Sequence, residues 1–184
     1  MAQSKTSIIS KASVMLGDAP VSGDDGSDAW EIGNIFYDDS YEELLRFREW
    51  TFTRVNQPFP LLSEVSNLGY KYVYLIPNTV IVVRDLNQSG DYKIIQGKLH
   101  TDIKDPLVSC QIKPEEHTLP SDFVKALTLV LAAEMAIPLV DDTTRADYYN
   151  KLAAVQVKKA VANDLAQEPQ ESFAYQSEIF TSRY

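Results

Sequence analysis

The stretch PSDFVKALTLVLAAEMAIPLVDDTTRADYYNKLAAVQVKKAVANDL, residues Pro120–Leu165, predicts two helices joined at a proline. The first, Ser121–Ile137, begins at a serine that can cap a helix. Between Phe123 and Ile137 only three residues are polar, namely Lys125, Thr128 and Glu134. Because such a helix has no broad polar face, we expect a central core helix that also packs against a second copy of the protein. It is shorter than the roughly 20 apolar residues of a membrane span and carries two charges, so no membrane span is expected.

Pro138 is expected to end the first helix, because proline lacks an N–H and clashes with the preceding turn. Residues 141–144 can then start a second helix. In this helix apolar residues recur on one face at Tyr149, Leu152, Ala153, Val157, Ala160, Val161 and Leu165, with Lys151, Lys158 and Lys159 left for solvent. The short connection predicts an antiparallel helix pair.

Two further helices are predicted near the N-terminus. Ser4–Leu16 carries an apolar stripe and is followed by Gly17, which suits a left-handed C-terminal cap. Ala29–Trp50 is a longer helix, with its apolar side marked by Trp30, Tyr37, Tyr41, Leu44, Leu45 and Arg48 and widened by Ile35, Phe36 and Phe47. The opposite side is acidic, with Asp38, Asp39, Glu42 and Glu43.

From Thr51 the pattern changes to short β-branched and aromatic runs separated by turn residues. The runs are TFTRV, YKYVYLI, TVIVVRDL, YKIIQG, KLHTDI and LVSCQI. They predict a meander of antiparallel strands inserted between helices, and therefore an α+β fold.

The chain has 184 residues and a formal net charge of −9, which argues against a basic groove that grips nucleic acid. An acidic wall can still surround DNA and let it slide, while a role in solubility alone is the plainer interpretation of the charge. The single cysteine, Cys110, excludes an internal disulfide and is expected to be a buried thiol in a strand. The first residues lack the features of a signal peptide, so folding in a cytoplasm is expected.

No catalytic motif, phosphate-binding loop or zinc motif occurs in the sequence, so we expect no enzyme activity, cofactor or metal. Asp24, Asp25 and Asp28 lack the alternating ligands of a calcium loop and fit a solvated loop better. Glu115 and Glu116 precede His117, but no second histidine lies at ligand spacing. An alternative is a glycan hydrolase whose acid and base come from Glu42, Glu43, Glu115 or Glu116.

The last residues, Gln167–Tyr184, are polar with spaced aromatic residues. Such a segment is too sparse to build a core. It fits either an extended peptide that orders on a partner or a frayed terminus, and the composition leaves both open.

Four stretches stand out by their order and spacing: REWTF at Arg48–Phe52, YVYLIPNTVIVVRD at Tyr72–Asp85, YKIIQGKLHTD at Tyr92–Asp102 and LPSDFVKALTLVLAAEMAIPLV at Leu119–Val140. This series resembles the tail tubular protein A family, the head-to-tail adaptor (connector) proteins of short-tailed bacteriophages. The resemblance extends over most of the chain. Asn78 departs from the family, which often has an acidic residue after this proline.

The resemblance implies a structural protein of the virion head–tail junction that forms a ring, commonly a dodecamer, between the portal protein and the tail nozzle. DNA would pass through the ring without sequence-specific binding, and tail fibres are further partners. The implied fold is a helical bundle from residues 1–50 and 114–168, with a β-rich insertion at 51–113 and an extended tail at 169–184. By the same analogy the tail binds the portal through Phe173, Tyr175, Ile179, Phe180 and Tyr184. Another neck or stopper protein with a similar helical hairpin is the remaining alternative.

Overall fold

The computed structural model describes residues 3–167, which form an α+β fold with four helices and two antiparallel sheets, so the predicted fold class is confirmed. The helices are α1 (Lys5–Met15), α2 (Asp28–Arg46), α3 (Ser121–Val140) and α4 (Thr143–Leu165). The strands, all between α2 and α3, are β1 (Arg54–Pro58), β2 (Leu61–Leu62), β3 (Tyr72–Leu75), β4 (Val80–Leu86), β5 (Tyr92–Ile95), β6 (Lys98–Thr101) and β7 (Leu107–Ile112). Short 3₁₀ turns occupy Thr51–Thr53 and Glu116–Thr118.

Helix α3 packs against α1, α2 and α4, and its most buried residues include Leu127, Leu131 and Met135, each 0% exposed. The prediction of a central core helix is therefore confirmed. The other helices of the same chain bury 61% of its most apolar window, and packing of α3 against a second copy stays a prediction. Its apolar sequence is explained by burial inside one chain.

Helix α3 does not end at Pro138, as the sequence suggested, but continues to Val140. Pro138 lacks the N–H that would have bonded to the carbonyl of Glu134, and its ring crowds that carbonyl. Both residues lie on the exposed side of the helix, close to its end, where this cost is tolerated. The helix stops at Asp141, whose left-handed φ of 48° ends the regular turn. Asp142 then caps α4 by accepting a hydrogen bond from the Arg145 N–H.

Because α3 continues past Pro138, the expectation that it is shorter than a membrane span is wrong. At 20 residues, α3 is the one helix in the described chain that is long and apolar enough to cross a membrane by composition. However, 61% of its most apolar window is buried inside the protein. Burial of this kind is expected of a core helix.

Helix α2 begins after Ser27, whose hydroxyl accepts from the Trp30 N–H, but it ends at Arg46 instead of the predicted Trp50. Trp50 is extended and fully buried, and its indole N–H donates to the Leu44 carbonyl at 2.9 Å. Its ring meets Phe123 of α3 edge-on, with 5.1 Å between the centroids. The need to insert this ring beneath α3 outweighs helix propensity, and the next residues form a 3₁₀ turn, so the first strand starts at Arg54 instead of Thr51.

The strands form two sheets and not the single meander that the sequence predicted. The first has the order β1-β7-β4 and the second the order β2-β3-β6-β5. Strand β7 returns from the far end of the insertion to pair with both β1 and β4. Such long-range pairing leaves no trace in local periodicity, which explains the error.

A small second core lies between the two sheets and consists of Phe59, Tyr74, Leu86, Leu99, Val108 and Cys110. Cys110 is 1% exposed, as expected for an unreactive thiol, and burial raises its pKa. Gln111 connects this region to the helices, because its amide donates to the Arg48 carbonyl and to the Thr53 hydroxyl, each at 3.1 Å.

Candidate assembly surfaces

The five residues predicted to bind a portal, Phe173, Tyr175, Ile179, Phe180 and Tyr184, lie outside the described residues. The structure does describe the base from which this segment continues. Helix α4 ends at Leu165 and the described chain ends at Gln167. The functional surfaces of the described part must therefore be sought on the helices and at this base.

The end of α4 is anchored by a buried carboxylate. Asp164, whose side chain is 5% exposed, accepts hydrogen bonds from the backbone N–H of Thr51 at 3.1 Å and from its hydroxyl at 2.5 Å. The guanidinium of Arg48 lies 3.6 Å from the same carboxylate. These contacts fix the last turn of α4 against the junction between α2 and the sheets. No local pattern in the sequence indicates this anchor, because Thr51 and Asp164 are 113 residues apart.

An apolar groove of about 340 Å³ lies between α2 and α4. Val130 and Glu134 of α3 line it together with Leu44 and Phe47 on one side and Ala153 and Val157 on the other. Phe47 is 65% exposed, so the prediction that it would widen the buried side of α2 is wrong. The exposed ring of Phe47 makes this groove a candidate surface for contact with another protein.

The prediction that Ile35 of α2 belongs to the buried side of the helix is also wrong. It is 67% exposed and lies among the acidic residues of the outer face, not on the apolar side. A helical projection centred on the buried tyrosines Tyr37 and Tyr41 would have shown this, since Ile35 falls near neither of them at 100° per residue. A single exposed isoleucine is common on protein surfaces, but Ile35 is surrounded by acidic side chains on the same helix face.

The carboxylates considered as a hydrolytic acid and base have other partners. Glu42 forms an ion pair with Arg46 at 2.7 Å, and Glu115 lies 3.2 Å from the imidazole of His117. Glu116 accepts a hydrogen bond from the Tyr37 hydroxyl at 3.5 Å. Burial, with this carboxylate as a second cause, raises the pKa of Tyr37. Glu43 lines the groove. We find no geometric feature that favours catalysis by these four residues.

Within residues 3–167 no group of three or more histidine, cysteine, aspartate or glutamate side chains is arranged to hold a metal ion. Asp25 instead accepts hydrogen bonds from Ser22 and Ser27, which lower its pKa. His100 is buried in β6, within the run KLHTDI that the sequence predicts as a strand, and its ring lies 2.9 Å from the Ser66 hydroxyl.

Charge is divided unevenly between the regions of the chain. Residues 51–113 contain seven lysines and arginines and five aspartates and glutamates. Residues 1–50, by contrast, contain four basic and ten acidic residues. Negative charge is therefore concentrated in residues 1–50, which contain α1 and α2, and not in the sheets.

Comparison with protein-family models finds none that matches the chain, and comparison with curated proteins finds no significant match.

Proposed function

We propose that this chain is a structural head-to-tail adaptor of a phage virion, which forms a ring between the portal protein and the tail nozzle and extends the DNA channel. It would be made in the host cytoplasm, have no enzymatic role, and contact the portal, the nozzle and tail fibres. The observation that carries the proposal is the ordered series of four stretches that resembles the tail tubular protein A family.

The packing of these stretches supports the proposal. Trp50 and Phe52 of the first stretch both contact Phe123 of the last one, each with 5.1 Å between ring centroids. The two stretches are separated by the whole set of strands in sequence. Their contact makes them parts of one structural unit.

The proposal includes a helical bundle built from both chain ends, residues 1–50 and 114–168, with residues 51–113 as an insertion. Its support is the hydrophobic core that α1, α2, α3 and α4 share. Helix α1 is joined to α4 by hydrogen bonds from Arg145 and Tyr149 to the carbonyls of Leu16 and Met15. A rigid bundle of this kind is a suitable base for a peptide that leaves the end of α4 to reach a portal.

The location of the protein in phage particles tests this function. Gold-labelled antibody against the chain should mark one site per particle, at the neck. A truncated chain ending at residue 168 should fold but fail to join the particles, because it lacks the aromatic residues proposed to bind the portal. Absence of the protein from purified particles, or labelling spread over the capsid, would contradict the proposal.

A further inference from the structure

Helices α2 and α4 carry outer faces with the same pattern and opposite charge. On α2 the exposed Ile35 has acidic residues four positions before it and three and four positions after it: Glu31, Asp38 and Asp39. On α4 the exposed Val155 has lysines at the same three offsets: Lys151, Lys158 and Lys159. Residues at these offsets surround the central residue on one helix face.

Both central residues are unusually exposed for apolar side chains inside long helices. Ile35 is 67% exposed and Val155 is 68% exposed. On each helix a second apolar residue lies three positions earlier, Ile32 on α2 and Leu152 on α4. Each face therefore has a small apolar centre with a charged rim, which is the composition of a protein–protein interface.

The charges of the two faces are only partly neutralised by their own chain. Asp38 is paired with Lys5 at 2.9 Å and with Lys113 at 3.3 Å. Among the described residues, Glu31 and Asp39 have no ion pair, and neither do the three lysines of α4: Lys151, Lys158 and Lys159. Each face thus retains charges that the opposite face can pair.

We infer that the outer face of α2 in one copy packs against the outer face of α4 in the next copy, and that this contact joins neighbouring subunits. The inference rests on the proposed ring and names the surfaces that would build it. A second copy is the occupant because the same chain carries both the acidic and the basic version of one pattern. The contact is heterologous, since each copy uses two different faces, and such contacts generate rings when they close.

Disulfide trapping tests the contact on the full-length protein. In the double variant Ile35→Cys/Val155→Cys, mild oxidation should give a ladder of covalent dimers, trimers and larger species. Each single variant should form no covalent dimer, because its cysteine faces a residue without a thiol. An equimolar mixture of the two single variants should give covalent dimers and nothing larger. The wild type is the control for Cys110, which is buried. Efficient dimers from either single variant would show a symmetric contact and overturn the inference.

Charge reversal supplies a second readout. The variants Glu31→Lys/Asp39→Lys and Lys151→Glu/Lys159→Glu, each added to the double-cysteine chain, should reduce the ladder about tenfold or more, because like charges then face each other. Mixing the two reversed proteins should restore it, since the reversed faces are again complementary. Lys125→Glu, on the exposed edge of α3, is the matched control and should leave the ladder unchanged. Failure of the mixture to recover would overturn the inference.

The same cysteine variants, added to purified portal, separate this inference from the proposed function. Rings on the portal that do not cross-link through residues 35 and 155 would overturn the inference and leave the adaptor function standing. A ladder without any ring on the portal would support the contact and count against the adaptor. Absence of both would overturn both.

Discussion

The helical region, residues 3–50 and 114–167, and the sheet region, residues 51–113, differ in how completely each makes its own core. The helical core contains 22 buried apolar residues, whereas the core between the sheets contains six. Both regions leave large apolar residues exposed, among them Val65 in the sheet region and Ile35 and Val155 in the helical region, so the contrast lies in the size of the cores. From this difference in core size we expect the helices to be stable by themselves and the sheets to depend on their contacts with the helices.

Truncation of the Trp50 side chain in the helical core should lower the stability of the protein more than any other change considered below. Trp50→Ala should lower the free energy of unfolding by about 3–5 kcal/mol, because it removes a buried ring and leaves the Leu44 carbonyl unpaired. Leu99→Ala in the sheet core should cost about 2–3 kcal/mol, near the low end for such a change, because a small core can collapse around the gap. Urea unfolding followed by circular dichroism measures both.

The control for this pair is Val65→Ala, since Val65 is 93% exposed and its truncation should change stability by less than about 0.5 kcal/mol. If Leu99→Ala costs clearly more than Trp50→Ala, the two cores do not differ as described.

The second prediction concerns the anchor between the regions. Asp164→Ala should destabilise the protein by about 3 kcal/mol, because it leaves the partly buried N–H of Thr51 and the Arg48 guanidinium without their acceptor. Arg48→Met should cost less, since Asp164 keeps the two hydrogen bonds from Thr51. A double-mutant cycle on thermal or urea unfolding gives the coupling between the two side chains, and additive effects would show that the ion pair is not formed.

The third prediction uses Cys110 as a probe of the sheet core. Because the thiol is buried and burial raises its pKa, a thiol reagent should modify it about 100-fold or more slowly than a free cysteine. If the sheets depend on the helices, Trp50→Ala should speed this labelling although Trp50 lies in the other core. An unchanged labelling rate in that variant would mean that the sheets open independently.

The smallest effect is expected from the surface pairs of Asp38, which connect α2 to α1 and to the end of the sheet region. Hydrogen bonds from Lys5, and then from Lys113, lower the pKa of Asp38 below its usual 3.8. A lowered folded-state pKa gives stability that is present above pH 3.8 and is lost as the pH falls through the folded-state pKa. Because the side chain is 60% exposed, the contribution should stay below about 1 kcal/mol.

Asp38→Asn checks this sign. The difference in unfolding free energy between wild type and variant should be largest near neutral pH and should shrink toward pH ~3. It should also shrink in high salt, which screens exposed ion pairs. A difference that grows on acidification would refute the assignment.

The same contrast explains which parts of the fold could be predicted from the sequence. Helices α1, α3 and α4 have a local apolar periodicity, which predicts all three. The side chains of Ser4 and Asp142 cap α1 and α4, whereas the predicted capping of α3 by Ser121 is wrong, because Pro120 occupies the N-cap and no side chain caps this helix. The end of α2 differs from the prediction because contact with Phe123 of α3 holds Trp50 in an extended conformation. The end of α3 differs because the helix tolerates the exposed Pro138 in its last turn. The pairing of β7 with β1 and β4 depends on residues distant in sequence and could not be read locally.

The candidate surfaces were predictable only in part. The lysines of α4 and the acidic side of α2 follow from helical spacing, and both are exposed as predicted. The exposure of Ile35 also follows from helical spacing, since it lies opposite Tyr37, whereas that of Val155 required the packing around α3 to be known. The anchor formed by Asp164, Thr51 and Arg48 is a contact between two ends of the fold, which no local pattern in the sequence indicates.

The proposed adaptor function can be tested by electron microscopy of the purified protein mixed with its proposed partner, a phage portal protein. We expect a ring of this chain on one end of the portal, and loss of that ring when the chain is truncated at residue 168. A protein that remains monomeric beside unoccupied portals would contradict it.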